Sequence, residues 1–216
     1  MSGFFVFRHP AHRSSTNTVK IAANLHRSDH NMPQPSHQEA IDATREWLEK
    51  AVIGLNLCPF AKGVYIKNQV RFVVSDATNA EQLAVELGRE LETLAEASPD
   101  KIDTTLLIHP YVMQRFLDFN DFLEIADAIV EELQLDGELQ VASFHPKFQF
   151  EGTGVNDIEN YTNRSPYPTL HLIRESSIAR AVESFPQAEM IYEKNIETVT
   201  RLGIEGWKAL FAKAGQ

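Results

Sequence analysis

Several features that identify a protein's class are absent from this chain. It contains one cysteine, Cys58, so an internal disulfide bond cannot form. No run approaches the roughly 18 consecutive apolar residues of a membrane-spanning helix. Basic residues are few, because 20 Lys and Arg stand against 30 Asp and Glu, for a formal charge of -10. Since nucleic-acid affinity depends on Lys and Arg that neutralise phosphates, we expect no nucleic-acid or membrane partner, and the lone cysteine favours the reducing cytoplasm.

Standard catalytic signatures are also absent. The chain has no phosphate-binding P-loop, no dinucleotide fingerprint, no nucleophile elbow and no zinc-protease motif. The short run Gly152-Thr153-Gly154 is too small to cradle a phosphate. The sequence therefore names no cofactor and no reaction, and it leaves open both the oligomeric state and whether the protein is an enzyme.

The first 35 residues differ in composition from the rest. They hold four basic residues and one acidic residue, a net charge of +3 that leaves -13 for the remainder. We interpret residues 1–35 as a disordered tail or an over-extended start, since Met32 stands just before Pro33-Gln34-Pro35. The alternative is a transit peptide, which is typically Arg-rich and acid-poor but has a stronger amphipathic period. Residues 36–216 are expected to form a single domain.

Helical and strand patterns alternate through this domain. Ser36 with Glu39, Asn79, Asp121 with Glu124, and the pair Ser176/Ser177 mark helix starts. Gly54 is expected to end the first helix, and two further helical stretches follow Pro186 on either side of Gly203. The predicted strands are Val70–Ser75, Thr104–Ile108, Leu139–Phe144 and Leu170–Arg174.

This alternation predicts an α/β fold with about four strands in a mostly parallel or mixed sheet flanked by helices. The first three strands should run in the same direction. The fourth could pair antiparallel on an edge.

Two histidines occupy matching positions at strand ends. His109 and His145 each end a predicted strand, and each is followed by proline. Ligands in open parallel sheets bind beyond the carboxyl ends of the strands, and imidazole exchanges protons near neutral pH or binds transition metals. Both histidines are therefore candidate acid–base groups or metal ligands, although each could instead cap its strand.

Cys58 precedes Pro59 in the run GLNLCPF. Proline favours the first helical position, so Cys58 is expected to precede a short helix whose N-terminus would lower the pKa of the thiol. Such a thiolate would suit a nucleophile, a redox group or a metal ligand. The apolar neighbours Leu55, Leu57 and Phe60 favour the alternative of a small buried side chain.

The segment from Ala142 to Glu175 has two strands around a long stretch without helical periodicity. A connection of this length is usually functional or disordered, and its aromatic residues favour an ordered functional loop. Arg164 is a candidate clamp for an anion, because guanidinium binds carboxylates bidentately. Strand alternation places His171 and Arg174 on opposite faces. Arg174 is a candidate ligand-binding residue, and the alternative is an ordinary surface charge.

Four motifs together, GLNLCPFAK, ASFHP, TNRSPYP and LHLIRES, resemble the bacterial family DUF1415, whose function is unknown. The resemblance covers Ser36 to Gly203. It marks the following motif positions and implies no activity or cofactor: Cys58, His145, Asn163, Arg164, Ser165, Tyr167 and His171.

These observations favour a cytoplasmic enzyme that acts on a small anionic or carbonyl-bearing molecule. Cys58, His145, His109 and Arg164 are the candidate catalytic residues. Asn163, Ser165, Tyr167, His171 and Arg174 are the candidate ligand-binding residues.

A metal-assisted variant requires Cys58, His109 and His145 to converge. One alternative is a non-catalytic binding or assembly module that uses the aromatic loop 145–168. A weaker alternative is a redox sensor that uses Cys58 alone.

Overall fold

Four strands form one mixed sheet in a computed structural model that describes residues 34–184 and 190–212. The strands are β1 (Val70–Val74), β2 (Thr104–Ile108), β3 (Leu139–Phe144) and β4 (Thr169–Arg174), and their order in the sheet is β1-β2-β4-β3. β1 pairs parallel with β2, whereas β4 pairs antiparallel with both β2 and β3. The α/β class and the common direction of β1, β2 and β3 agree with the sequence prediction.

The position of β4 differs from the prediction of an edge strand. β4 lies between β2 and β3, with Ala142 and Leu106 on either side of His171. Consecutive strands usually pair, so the chain returns from β3 directly alongside it. Because β4 is hydrogen-bonded on both sides, all six of its residues are buried or half-buried in the middle of the sheet.

Helices cover both faces of this sheet. They are α1 (His37–Trp47), α2 (Ala61–Ile66), α3 (Ala80–Glu96), α4 (Phe116–Glu132), α5 (Glu175–Glu183) and α6 (Ile191–Leu210). A π-helical segment, Leu48–Ile53, continues α1, and a 3₁₀ helix, Ile158–Asn163, lies in the long loop. Among the helices of the described ranges, none is both long and apolar enough to cross a membrane.

Two hydrophobic clusters lie on opposite faces of the sheet. On one face, the leucine stripe of α3 and the aromatic stripe of α4 pack on Leu107, Leu170 and Leu172. On the other face, α1, the π-helical segment and α6 pack on Leu106, and Trp47 is one of the buried side chains there. Adjacent residues of β2 thus contribute to different clusters, as the alternation of side chains along a strand requires.

The predicted helix starts are only partly correct. Ser36 and Glu39 form the expected capping box, and the Asn79 side chain accepts from the Gln82 amide. α4 begins at Phe116 rather than Asp121, because Phe116 and Phe119 pack against the sheet and extend the helix towards its N-terminus. Local capping patterns do not report such tertiary packing.

The C-terminal helices also differ in detail from the prediction. α5 begins at Glu175, immediately after β4, and the Ser177 hydroxyl donates to Asp103 rather than capping the helix. Gly203 interrupts α6 with φ 67° and ψ 170°, as predicted. The expected stop at Phe185-Pro186 lies outside the described residues, as do most of the N-terminal tail and the predicted start at Gln187.

Candidate functional site

His109 and His145 lie on the same face of the sheet, at the carboxyl ends of β2 and β3. Both imidazoles pack against Phe119 of α4, with ring centroids 5.4 Å and 5.2 Å from its phenyl ring. Both residues are completely buried. The structure therefore places the two imidazoles together, as their matching strand ends predict, but beneath the surface of the rim.

Both imidazoles hold the segment that links β2 to α4. Nδ1 of His109 donates to the carbonyl of Val112 at 3.3 Å, and Nε2 of His145 donates to that of Met113 at 3.0 Å. The amide of Lys147 donates to Nδ1 of His145 at 2.9 Å, so both nitrogens of this ring are engaged. Met113 has φ 58°, which is unfavourable for a non-glycine residue. The histidines thus stabilise a strained turn.

Burial keeps both imidazoles neutral. It lowers the pKa of His109 to about 3, and the neighbouring His145 contributes in the same direction. It lowers the pKa of His145 to about 4, with a smaller contribution from Lys147. Nε2 of His109 has no hydrogen-bond partner within the described part of the chain. Neutral, enclosed rings of this kind are better suited to positioning than to proton exchange with a ligand.

Polar side chains from three separate segments meet on the surface of the rim above these histidines. Nε2 of His37, at the start of α1, donates to Oδ1 of Asp76, which follows β1, at 2.8 Å. The His37 side chain is 48% exposed and that of Asp76 is 78% exposed. The His37 ring stacks at 6.3 Å on Tyr111, which follows β2 and donates its hydroxyl hydrogen to the Pro35 carbonyl at 2.7 Å. The carboxyl ends of the two parallel strands are thereby bridged.

Tyr167 of the TNRSPYP motif joins this group. Partial burial raises the pKa of its phenol, and the nearby Glu39 carboxylate and Tyr111 add to the effect. The phenol therefore remains protonated at neutral pH and retains a hydrogen to donate. We name His37, Asp76, Tyr111 and Tyr167 the rim cluster.

Cys58 lies on the other face of the sheet from the buried histidines. It packs against the cluster formed by α1, the π-helical segment and α6. Burial raises the pKa of its thiol, although the amides of Phe60 and Ala61 partly oppose this by hydrogen bonding to the sulfur. The expected low pKa was therefore wrong, because the apolar surroundings outweigh the N-terminus of the short helix α2.

The proposed convergence of Cys58, His109 and His145 was also wrong, since the sheet separates the thiol from both imidazoles. Nowhere in residues 34–184 and 190–212 do three or more His, Cys, Asp or Glu side chains group so that they could hold a metal ion. The described residues thus offer no centre for the metal-assisted variant.

Arg164 connects separate parts of the long loop to one another. Its guanidinium lies 4.2 Å from the centre of the Tyr161 ring and donates to the carbonyls of Val155 at 2.5 Å and Phe148 at 3.4 Å. Much of its donor capacity is thus used within the loop. The role of anion clamp remains a prediction, and the geometry accounts for Arg164 without it.

Asn163 and Ser165 are buried and connect the loop to its surroundings. The Asn163 carbonyl accepts from the amide of His145 at 3.2 Å, and its side-chain amide donates to the carbonyl of Ser143 at 3.5 Å. The Ser165 hydroxyl donates to the carbonyl of Tyr167 at 2.6 Å. Both residues position Tyr167 and the end of β3, while direct ligand contacts remain predictions.

His171 and Arg174 point to opposite faces of β4, as predicted. Nε2 of His171 donates to the Thr104 hydroxyl at 2.7 Å, and burial lowers the pKa of this imidazole to about 4. Arg174 is only 5% exposed and donates to the carbonyls of Leu94, Ala97 and Ile102 around the end of α3. The expectation of a surface charge was therefore wrong. Arg174 also lies at the end of β4 opposite the rim.

Three members of the rim cluster were missed from the sequence. Asp76 is the second residue after β1, close to the position that His109 takes after β2. His109 was selected because it follows the carboxyl end of a predicted strand. The same criterion, applied to every strand, would also have selected Asp76. His37 and Tyr111 carried no such signal, since their proximity depends on how α1 packs against β1.

Comparison with known proteins identifies the chain only at the level of the family. No curated protein and no solved structure matches it. The model of a family of proteins of unknown function, DUF1415, matches residues 39–209. Asp76, Tyr111 and Tyr167 lie within the matched residues, and His37 lies just before them. This match spans most of the sequence, so the chain belongs to the DUF1415 family.

Proposed function

We propose that this protein is an enzyme that acts on a small carbonyl-bearing molecule at the rim cluster. The supporting observation is the hydrogen bond between His37 and Asp76 at the carboxyl end of β1, where α/β sheets bind their ligands. Glu39 and Asp76 make this surface locally negative, which disfavours a strongly anionic substrate and favours a neutral carbonyl group. The single cysteine supports a cytoplasmic location. The family resemblance supports a bacterial source.

His37 is the acid–base group in this proposal. Its Nε2–H donates to the Asp76 carboxylate, which orients the ring and leaves Nδ1 as the accepting nitrogen. Nδ1, which has no hydrogen bond to any described residue, then accepts a proton from the carbon next to the substrate carbonyl. The proton on Nδ1 exchanges with water, and Nδ1 then protonates either the same carbon, which gives a proton exchange, or a second atom of the substrate, which gives an isomerisation.

Tyr167 would stabilise the negative charge that develops on the carbonyl oxygen. Its phenol stays protonated because its pKa is raised, and its O–H makes no hydrogen bond to any described residue. Preorganised donors at such an oxygen commonly supply a large part of the stabilisation of a transition state. Tyr111 would position His37 through ring stacking, while His109 and His145 support the Tyr111 segment from below.

A deuterium-exchange experiment tests this function. Ketones, aldehydes and 2-oxo acids are incubated with the protein in D₂O, and loss of the signal from the hydrogens next to the carbonyl is followed by proton NMR. At least one compound should exchange faster than in buffer. His37→Gln should reduce the rate by about 10²–10⁴-fold, since that is the usual contribution of a general base.

Gln38→Ala provides the matched control, because Gln38 is the next residue of α1 and its side chain donates to Asp42 on the surface, with no other side-chain partner among the described residues. Its exchange rate should equal that of the unaltered protein. Exchange that survives His37→Gln, or no exchange with any of the three compound classes, would contradict the proposal.

The alternative of an assembly module receives less support from the loop. Phe148 is buried against Phe116, Phe150 packs on Phe148 and Tyr192, and Tyr161 packs on Trp207. These aromatic rings pack against other residues of the same chain. The raised pKa of Cys58 likewise gives little support to a redox sensor, which needs a thiolate.

A further inference from the structure

A groove of about 250 Å³ lies between the turn that precedes α2 and the first half of α6. The GLNLCPF motif, which the rim does not use, forms one wall of this groove, and α6 forms the other. Leu55, Pro59 and Ile191 provide its apolar surface. No member of the rim cluster lines it, so the groove is a second place where a ligand can lie.

The fold determines the shape of the motif wall. Gly54 ends the π-helical segment, and a Cβ atom there would lie 2.3 Å from the Lys50 carbonyl oxygen, so a side chain cannot fit. Asn56 turns the chain with φ 56°. Buried Asn195 of α6 donates to the carbonyl of Leu57 at 2.8 Å and ties the two walls together. The groove is therefore held open by local backbone geometry and one buried hydrogen bond.

The side-chain oxygen of Asn195 is an unused acceptor in this groove. The Leu57 carbonyl can only accept, so the nitrogen of the Asn195 amide points towards it and Oδ1 points away. Asn195 lines the groove and is only 7% exposed. Oδ1 accepts no hydrogen bond from any described residue, and it is not one of the fully enclosed unpartnered atoms, which among the described side chains are Oγ1 of Thr105 and Nε2 of His109. Oδ1 therefore opens into the groove and can accept from a ligand.

Thr198 and Arg201 continue the row that Asn195 begins on α6. The three residues are three positions apart, so their side chains are neighbours on the helix, with about 5–6 Å between successive Cβ atoms. The hydroxyls of Thr44 and Thr93 donate to the carbonyl four residues earlier in their helices, whereas that of Thr198 has no such bond. The Arg201 guanidinium makes no hydrogen bond or ion pair with any described residue. The row thus presents an acceptor, a hydroxyl group and a cation that the described chain does not use.

Glu197 supplies a negative charge beside the positive charge of Arg201. It lines the groove four residues before Arg201, yet the two side chains form no ion pair. Lys194 also lines the groove but already takes part in another interaction. A ligand with one charge of each sign is attracted by both Glu197 and Arg201, whereas a simple anion or a simple cation is repelled by one of them.

We infer that this groove binds a free α-amino acid with an apolar side chain. Its carboxylate would pair with the Arg201 guanidinium, whose fork geometry matches two carboxylate oxygens. Its ammonium group has three donors and would bond to Oδ1 of Asn195 and to the Thr198 hydroxyl. Its side chain would lie on the three apolar residues of the groove. The volume is below the roughly 300–1,000 Å³ of sites for drug-sized ligands, which suits a molecule of this size.

L-leucine serves as the probe. Isoamylamine lacks its carboxylate and isocaproate lacks its ammonium group, so these two compounds are the matched counterparts. Titration with L-leucine followed by NMR should shift the backbone amide signals of Asn56 and Thr198 and the side-chain amide signal of Asn195. Each counterpart should bind about tenfold more weakly than L-leucine, because it loses one charged contact.

Two variants test the polar row directly. Arg201→Gln and Thr198→Val should each weaken L-leucine binding by about tenfold, since each removes one partner of a charged group. Arg89→Gln and Thr200→Val are the matched controls. Arg89 is an exposed arginine on α3, and Thr200 is an exposed threonine of α6 outside the groove lining. Both controls should leave the affinity unchanged.

L-leucine that fails to bind, that shifts other signals instead, or that binds Arg201→Gln or Thr198→Val with unchanged affinity would overturn the inference. Isoamylamine or isocaproate that binds as well as L-leucine would overturn the assignment to an amino acid. His37→Gln should bind L-leucine as the unaltered protein does. Failure of the proposed rim chemistry therefore leaves this test unaffected, and the two proposals fail separately.

Discussion

Among single residues, burial separates the charged and titratable side chains into those that build the fold and those that remain available to a ligand. Arg174 is buried and satisfies carbonyls at the end of α3, whereas Arg201 is exposed and has no partner among the described residues. His109 is buried below the rim, whereas His37 is half-exposed above it. From residue type alone, the sequence suggested Arg174 and His109, the buried members of the two pairs, as site residues. Exposure points instead to His37.

Arg174→Met should destabilise the protein by about 2–3 kcal/mol, because hydrogen bonds from a charged donor are lost and buried carbonyls are left unpaired. The free energy of unfolding is measured by urea denaturation. Arg89→Met, at an exposed position, should change it by less than about 0.5 kcal/mol. Equal stability of the two variants would show that Arg174 is not a structural residue.

Among the elements, the π-helical segment has the most unusual conformation. It places the amide of Gly54 2.9 Å from the carbonyl of Glu49, five residues earlier. Interruptions of this kind often occur at functional sites, and here the segment leads directly into the GLNLCPF motif. The long loop is a second such element, since it packs Phe148 on α4 and Tyr161 on α6 and so joins both layers of helices.

Gly54→Ala should destabilise the protein by about 1–3 kcal/mol, because the added methyl group would overlap the Lys50 carbonyl. Gly63→Ala, in α2, meets no atom within 4 Å and should instead stabilise it by about 0.5–1 kcal/mol. Thermal and urea unfolding of both variants measure the two effects. A neutral Gly54→Ala would show that the π-helical segment rearranges without cost.

Across the whole molecule, three histidines from three different strand regions are kept neutral by burial. The pKa values of His109, His145 and His171 fall from 6.5 to about 3, about 4 and about 4. Below pH 6.5, these three imidazoles therefore bind protons in the unfolded chain but remain unprotonated in the folded chain. Their effect on stability is absent at high pH and grows as the pH falls from 6.5 towards 4.

The free energy of unfolding should accordingly fall with acidification, by about 1.4 kcal/mol per pH unit for each imidazole once the pH is well below 6.5. Urea unfolding between pH 8 and pH 4 measures this slope. His109→Gln should reduce the slope by the contribution of one imidazole, whatever its effect on stability at pH 8. An unchanged slope in that variant would mean that His109 is protonated in the folded protein.

Sequence reasoning reached the local features and missed those that depend on distant contacts. Ser36 and Asn79 were identifiable as caps because capping depends on residues three positions apart. The start of α4 at Phe116 was not identifiable from the sequence, because packing against His145 extends that helix. Cys58 looked reactive from the proline beside it, yet apolar side chains from other elements raise its pKa.

The sequence by itself determined the α/β class, the bounds of β2 and β3 and the family, because periodicity, capping and motifs are properties of short stretches of chain. Tertiary structure decided that β4 lies inside the sheet, that Cys58 and the paired histidines lie on opposite faces, and that His37 meets Asp76 and Tyr111. These outcomes depend on strand order and on which face each helix covers. Both are set by the burial of apolar side chains from distant parts of the chain, which a local pattern does not record.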